Sequence, residues 1–229
     1  MSKKKVGVLL SGSGVYDGTE IQESVFALLA IDKRNAEAVC MAPDTRQHHV
    51  INHLNGEEMN EERNVLIESA RIARGEIQDV AKTDAASLDA LVIPGGFGTA
   101  KNHTKWAFEG PDGEIRPDVK KLIKDCAAAG TPILGLCMAP TTMAKALEGS
   151  DQKVKLTVGT TAENSPYDID AISSGINNTG AQAEMKTIRE VLVDEQNKIV
   201  TAPCYMMNAS VYQVHENIEN ATDELFKLM

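Results

Sequence analysis

Apolar residues in this chain fall into short blocks that alternate between two periodicities. The segments 5–10, 38–42, 88–93 and 133–136 are compact apolar runs closed by Gly, Pro or Asp, the pattern of strands buried on both faces. Between them the spacing turns helical. Over 19–33, Ile21, Val25, Leu28 and Leu29 share one stripe and Thr19 with Gln22 forms a capping box. Helices are also predicted over 65–74, ended by Gly75, over 117–129, with Pro117 at its start and Gly130 just past its end, and over 140–147. Short strands at 156–158, 191–193 and 199–201 follow, the last two joined by a turn over 194–198, and a helix over 208–228 closes the chain. The segment 47–59 carries Asn55-Gly56, a hairpin signal, and reads as a flap outside the sheet. Strand–helix alternation of this kind predicts an α/β fold with a mostly parallel central sheet covered on both faces, as one domain over 1–229.

Composition narrows the function classes. Of 229 residues 42% are hydrophobic and 24% charged, which is ordinary for a globular chain. Lys+Arg 23 against Asp+Glu 33 leaves a net charge of −10. That balance, with only 4% aromatics, argues against nucleic acid and anionic membranes as partners. The longest apolar run, 25–31, is far short of a membrane span. Lys3-Lys4-Lys5 followed by 6–10 imitates the start of a signal peptide, but the apolar stretch breaks into Ser11-Gly12-Ser13-Gly14, so a cytoplasmic strand is expected. Cys40, Cys126, Cys137 and Cys204 are widely and irregularly spaced, which fits neither a disulfide frame nor a zinc site. No metal or organic cofactor is expected.

Ligands of open parallel sheets sit at the carboxyl ends of the strands, and three strand exits carry chemistry. In Ile133-Leu134-Gly135-Leu136-Cys137-Met138-Ala139-Pro140 a strand runs into a cysteine and a helix starts at once, the layout of a nucleophile elbow. Helix N–H groups there favour a thiolate, so a depressed Cys137 pKa is expected. Pro94-Gly95-Gly96-Phe97-Gly98 can turn a backbone N–H toward a neighbouring site, where it would share an oxyanion hole with the Met138 N–H. The first exit, Ser11 to Gly18, is followed by Glu20 and Glu23, one helical turn apart and suited to proton transfer beside a thiol. A dinucleotide fingerprint is disfavoured there, because Asp17 stands where a glycine is needed. His48, His49 and His53 cluster in the flap, where solvation is the default; His103 follows the Gly-Gly turn and His215 lies in the last helix.

Taken together, 14–23 (Gly-Val-Tyr-Asp-Gly-Thr-Glu-Ile-Gln-Glu), 52–57, 63–68, 73–77, Pro94-Gly95-Gly96-Phe97-Gly98 and Cys137-Met138-Ala139-Pro140 resemble the ElbB family, end to end. That family is similar to the PfpI/ThiJ superfamily. The resemblance implies a class I glutamine amidotransferase-like fold, a flavodoxin-like three-layer sandwich, commonly dimeric. It also implies Cys137 as nucleophile, a glutamate of the 20–23 turn in contact with it, and weak glutathione-independent conversion of glyoxal to glycolate, an activity linked to protein deglycation. Many PfpI-type proteins have His after the cysteine. Here Met138 stands instead, which disfavours protease activity. Downstream, only His215-Glu216-Asn217 offers a histidine, and its spacing fails the His-x-Glu of amidotransferases.

The expected enzyme is therefore a cofactor-independent glyoxalase III-like lyase acting on glyoxal or methylglyoxal. Cys137 forms the hemithioacetal, Glu23 (or Glu20) shuttles the proton, and Gly96 and Met138 hold the oxygen. The alternative from the same residues is a redox-responsive interaction protein built on an oxidisable Cys137.

Overall fold

A computed structural model describes residues 3–229. Seven strands form one sheet in the order β3-β2-β1-β4-β5-β9-β8. They are β1 (Lys5–Leu9), β2 (Glu37–Ala42), β3 (Ile77–Asp79), β4 (Ala90–Ile93), β5 (Ile133–Leu136), β8 (Leu192–Asp194) and β9 (Ile199–Ala202). All neighbours run parallel except β8 against β9. Every residue of β4, β5 and β9 is buried, as a sheet covered on both faces requires. One face carries α1 (Ile21–Lys33) and α7 (Val211–Leu228), with α2 (Val65–Ile72) beside α1; the other carries α4 (Pro117–Ala129) and α5 (Ala139–Leu147). This is the expected flavodoxin-like three-layer sandwich. Around it lie the short α3 (Trp106–Glu109), α6 (Ile169–Asn178) and a parallel pair, β6 (Lys155–Leu156) with β7 (Gln182–Ala183). Among the described residues no helix is long and apolar enough to cross a membrane.

Helix α4 begins at Pro117 and ends before Gly130, whose φ of 68° provides the left-handed cap. Helix α7 is closed by a full capping box between Ser210 and Gln213. Asn55-Gly56 turns the flap, with Ile51 bridged to Glu58. Four elements escape the sequence pattern: β3, α3, α6 and β7. Each is short or has apolar residues too sparse to set a period.

Helix α1 corrects the sequence reading twice. Its cap is Glu20, not Thr19: the Glu20 carboxylate accepts the Glu23 N–H at 2.6 Å. Thr19 is used elsewhere, its Oγ1 accepting the Ser11 N–H at 2.7 Å. The stripe Ile21, Val25 and Leu29 is exposed, at 46%, 48% and 45%, while Glu23, Ser24, Ala27, Ala30 and Ile31 face inward. Periodicity reveals an apolar face but not its neighbour, and the sheet side of this helix is packed closely enough to need small residues.

The chain leaves β1 toward β2 and β3 on one side, then returns to place β4 on the other. The switch point between β1 and β4 is where doubly wound sheets hold their ligands.

Candidate active site

Four strand exits converge at this edge, those of β1, β4, β5 and β9. Cys137 follows β5 directly, with φ of 55°, a left-handed conformation that costs a non-glycine residue about 1 kcal/mol or more. Neighbours hold it there. The Cys137 N–H donates to the Ala202 carbonyl of β9, and Met138 opens α5. Gly135 lies against Met143, whose Sδ would be 2.4 Å from any added Cβ, so the small flank expected of a tight elbow is required.

Glu23 is fully buried and turned from the first helical turn of α1 onto the sulfur. Its Oε2 accepts the Gly95 N–H at 3.0 Å, its Oε1 accepts the Tyr205 N–H at 3.2 Å, and the carboxyl lies beside the Cys137 thiol, each acting on the other's ionisation. Burial, and then the charge of Glu20, push its pKa up to about 8. Glu20 does not reach the thiol position; it caps α1, and its own carboxyl is raised by burial. Between the two candidate acids, the structure thus places Glu23 against the sulfur and Glu20 one step behind. The Gly96 and Met138 N–H groups both lie close enough to the sulfur to lower its pKa, so the two expected donors converge on it. Gly96 achieves this with φ of 94°, its Cα lying so close to Glu20 that an added Cβ would be 2.4 Å from that residue's nitrogen.

One expectation fails. The thiol is not depressed: burial first, then the Glu23 carboxyl, push the Cys137 pKa well above its ordinary value. Cys137 is 5% exposed, and its environment outweighs the helix N-terminus. A standing thiolate is therefore replaced by a protonated thiol beside a carboxyl whose pKa is raised to about 8.

Sequence reasoning missed the fourth exit. Cys204-Tyr205-Met206 follows β9, which pairs with β5, and supplies a ligand for Glu23 and a wall of the site. That pairing was not readable from a four-residue strand. Cys204 itself is fully buried, its thiol raised by burial. The space beside the Cys137 sulfur is ≈ 10 Å³, room for about one water. Val15, Phe97, Met138, Tyr167 and Tyr205 wall it, and Phe97 meets Tyr167 edge-on at 5.7 Å between centroids.

The histidines stand apart. His103 is buried with Nε2 on the Leu10 carbonyl, and burial lowers its pKa to about 4. His53 stacks on Tyr16 at 4.9 Å, His48 on Phe108 at 4.4 Å, and His215 edge-on to Phe26 at 5.3 Å.

Gly95 explains why this exit must be bare. A Cβ there would lie 2.4 Å from the Cys137 Cβ and 2.7 Å from Glu23 Oε2. We expect Gly95→Ala to cost about 1–3 kcal/mol through overpacking and to separate thiol from carboxyl. Thermal melting reads the first effect and alkylation of Cys137 the second; a variant matching wild type in both would contradict the geometry.

Comparison with known proteins agrees with this fold. No protein-family model matches the chain. The human glutamine amidotransferase-like class 1 domain-containing protein 3, mitochondrial, is 42% identical over 218 residues, covering 93% of this chain and 79% of the relative. The chain belongs to this glutamine amidotransferase-like class 1 domain family, which includes the ES1 homologues. A crystal structure of an isoprenoid biosynthesis protein with amidotransferase-like domain from Ehrlichia chaffeensis superposes on this member of the family with a TM-score of 0.88. It is 32% identical, and the match covers 98% of this chain and 99% of that one. Drosophila melanogaster DJ-1beta shares the amidotransferase-like fold alone, at TM-score 0.55 and 14% identity over 99% and 96% of the two chains. The cytoplasmic expectation is corrected here: the human relative of this family, like ES1 proteins of rat and zebrafish, is named mitochondrial. That expectation rested on the lack of a secretory signal, which speaks to export and cannot distinguish cytosol from organelle.

Proposed function

We propose that this family member is an ElbB-type, cofactor-independent glyoxalase III-like lyase acting on glyoxal or methylglyoxal. The observation that carries the reading is the contact of a buried carboxyl, poised near pH 8, with the only thiol that borders this cavity. Glu23, once ionised, takes the Cys137 proton as sulfur attacks an aldehyde carbon. The oxygen of the hemithioacetal replaces sulfur as acceptor for the Gly96 and Met138 N–H groups. Glu23 passes the Cys137 proton to the hemithioacetal oxygen, then removes the hydrogen from the carbon, giving an enediol. After its carboxyl exchanges with solvent it delivers a solvent-derived proton to the neighbouring carbon, while the proton on the first oxygen moves to the second. The product is a thioester of the hydroxy acid, which water cleaves to free Cys137. Atoms balance as glyoxal plus water giving glycolate. A two- or three-carbon aldehyde is larger than the one-water space beside the sulfur, so this reading requires the Phe97, Tyr167 and Tyr205 wall to move aside.

The redox alternative needs a standing thiolate, which burial removes, whereas the aldehyde reading needs deprotonation only during attack. Carbon-labelled glyoxal in D₂O tests the proposal by NMR. Glycolate deuterated on its hydroxymethyl carbon is expected. No glycolate overturns the enzyme, and undeuterated glycolate, the mark of an internal hydride shift, overturns the enediol.

The proposed partners are the small aldehyde and a second copy of the chain, with neither nucleic acid nor membrane involved. The exposed row Ile21, Val25 and Leu29 at successive turns of α1 is the face for that copy. We expect Val25→Asp to convert a dimer to a monomer in light scattering at micromolar concentration; a monomeric wild type would remove the proposal.

A further inference from the structure

Lys101 is a half-buried cation with a neutral partner. Its Nζ donates to the Tyr16 carbonyl at 2.8 Å and lies 5.6 Å from the centroid of the Phe97 ring. Among the described residues no carboxylate pairs with it; burial lowers its pKa, while Asp17 and Glu58 act on it through space. In a chain with ten more acids than bases, such a cation has been left available.

Two cavities meet at Lys101. The first, ≈ 270 Å³, is walled by Arg46, His48, Lys105 and Arg116, with Glu114 as its one acid. Arg46 pairs with Glu62, Lys105 with Glu114 and Arg116 with Asp118. The first two pairs are solvent-exposed and weak, so they yield readily to another anion. At the wall lies His103, fully buried, whose Nδ1 has no hydrogen-bond partner. With Nε2 bonded to a carbonyl and the ring held neutral, Nδ1 is an acceptor left without a partner inside that wall. The second cavity, ≈ 560 Å³, is apolar and aromatic, walled by Ile51, Phe97, Phe108 and Tyr167. His48 from the first stacks on Phe108 of the second, which stiffens the partition.

We infer that the paired cavities form one binding site for a small organic anion, a phosphate or carboxylate carried on a flat apolar body. The anion sits at Lys101 among the neighbouring cations, and the body lies against Phe97, Phe108 and Tyr167. Positive walls focus the anion, and aromatic faces hold the apolar part. The site is separated from Cys137 by the Phe97–Tyr167 pair, and it does not rest on the glyoxalase reading.

Calorimetry on the Cys137→Ala chain at low salt reads binding without chemistry, with phenyl phosphate as probe and inorganic phosphate and phenol as controls. Phenyl phosphate is expected to bind at least about tenfold more tightly than either control. Lys101→Met should weaken it about tenfold and Lys101→Arg should retain it. Phe108→Ala, at a partly exposed position, should weaken phenyl phosphate and leave inorganic phosphate unchanged. No binding of phenyl phosphate at millimolar concentration, inorganic phosphate binding equally well, or a folded Lys101→Met chain that binds like wild type would each overturn the inference.

Discussion

Cys137→Ala is expected to abolish glycolate formation while leaving the fold intact. The variant removes the one thiol among the cavity's lining residues, and Cys204, fully buried, is not expected to substitute. Loss should reach the uncatalysed background, because a missing nucleophile removes the covalent route altogether. The backbone adds a second readout. Position 137 has φ of 55°, so an alanine there keeps the left-handed strain, and a glycine relieves it. Cys137→Gly should therefore be more stable than Cys137→Ala by about 1 kcal/mol, the reverse of the usual order of these two residues. Urea titration of the pair measures the difference. Equal glycolate production by wild type and Cys137→Ala would end the enzymatic reading; an alanine variant more stable than the glycine one would show that the elbow is not strained.

Glu23→Gln should reduce turnover by about 10²–10⁴-fold, the usual worth of a positioned acid–base group. The amide cannot stand in for the carboxyl. Both Glu23 oxygens accept backbone N–H groups, from Gly95 and Tyr205, and an amide nitrogen must face one of these donors. In wild type, kcat/KM should rise with pH and level off near 8, since Glu23 accepts a proton only when ionised. Stability moves the opposite way. The folded chain keeps the Glu23 proton up to about pH 8, whereas the unfolded chain loses it near the ordinary value of 4.5. Between these limits the folded state binds more protons, so its stability falls as pH rises, by up to about 1.4 kcal/mol per unit. The contribution is complete below pH 4.5 and gone above about 8. Glu23→Gln lacks it, so the stability difference between wild type and variant should shrink across that window. A difference constant with pH would mean that Glu23 ionises normally.

Much of the site was legible because its pieces are local. Cys137 between a buried strand and Pro140, the paired glycines after β4, and two acids one turn apart after β1 are each visible within ten residues. A parallel sheet then brings strand exits to one edge, which supplied the long-range step. What the local pattern could not supply was strand order. The exit of β9 was overlooked because nothing in 199–202 says that it pairs with β5, and so the Tyr205 N–H on Glu23 and the Tyr205 wall went unseen.

Residue types and their spacing determined the α/β class and most element positions, and singled out a candidate thiol, two candidate acids and candidate N–H donors, because these follow from short-range periodicity and turn chemistry. Tertiary structure decided everything that depends on solvent exclusion. Burial turned the expected thiolate into a raised thiol and lifted Glu23 to near neutrality. It also assigned Glu20 to capping and put the apolar stripe of α1 on the outside. The reason is physical: periodicity is carried by a chain's own neighbours, but the dielectric around a charge is set by whichever distant segments pack against it.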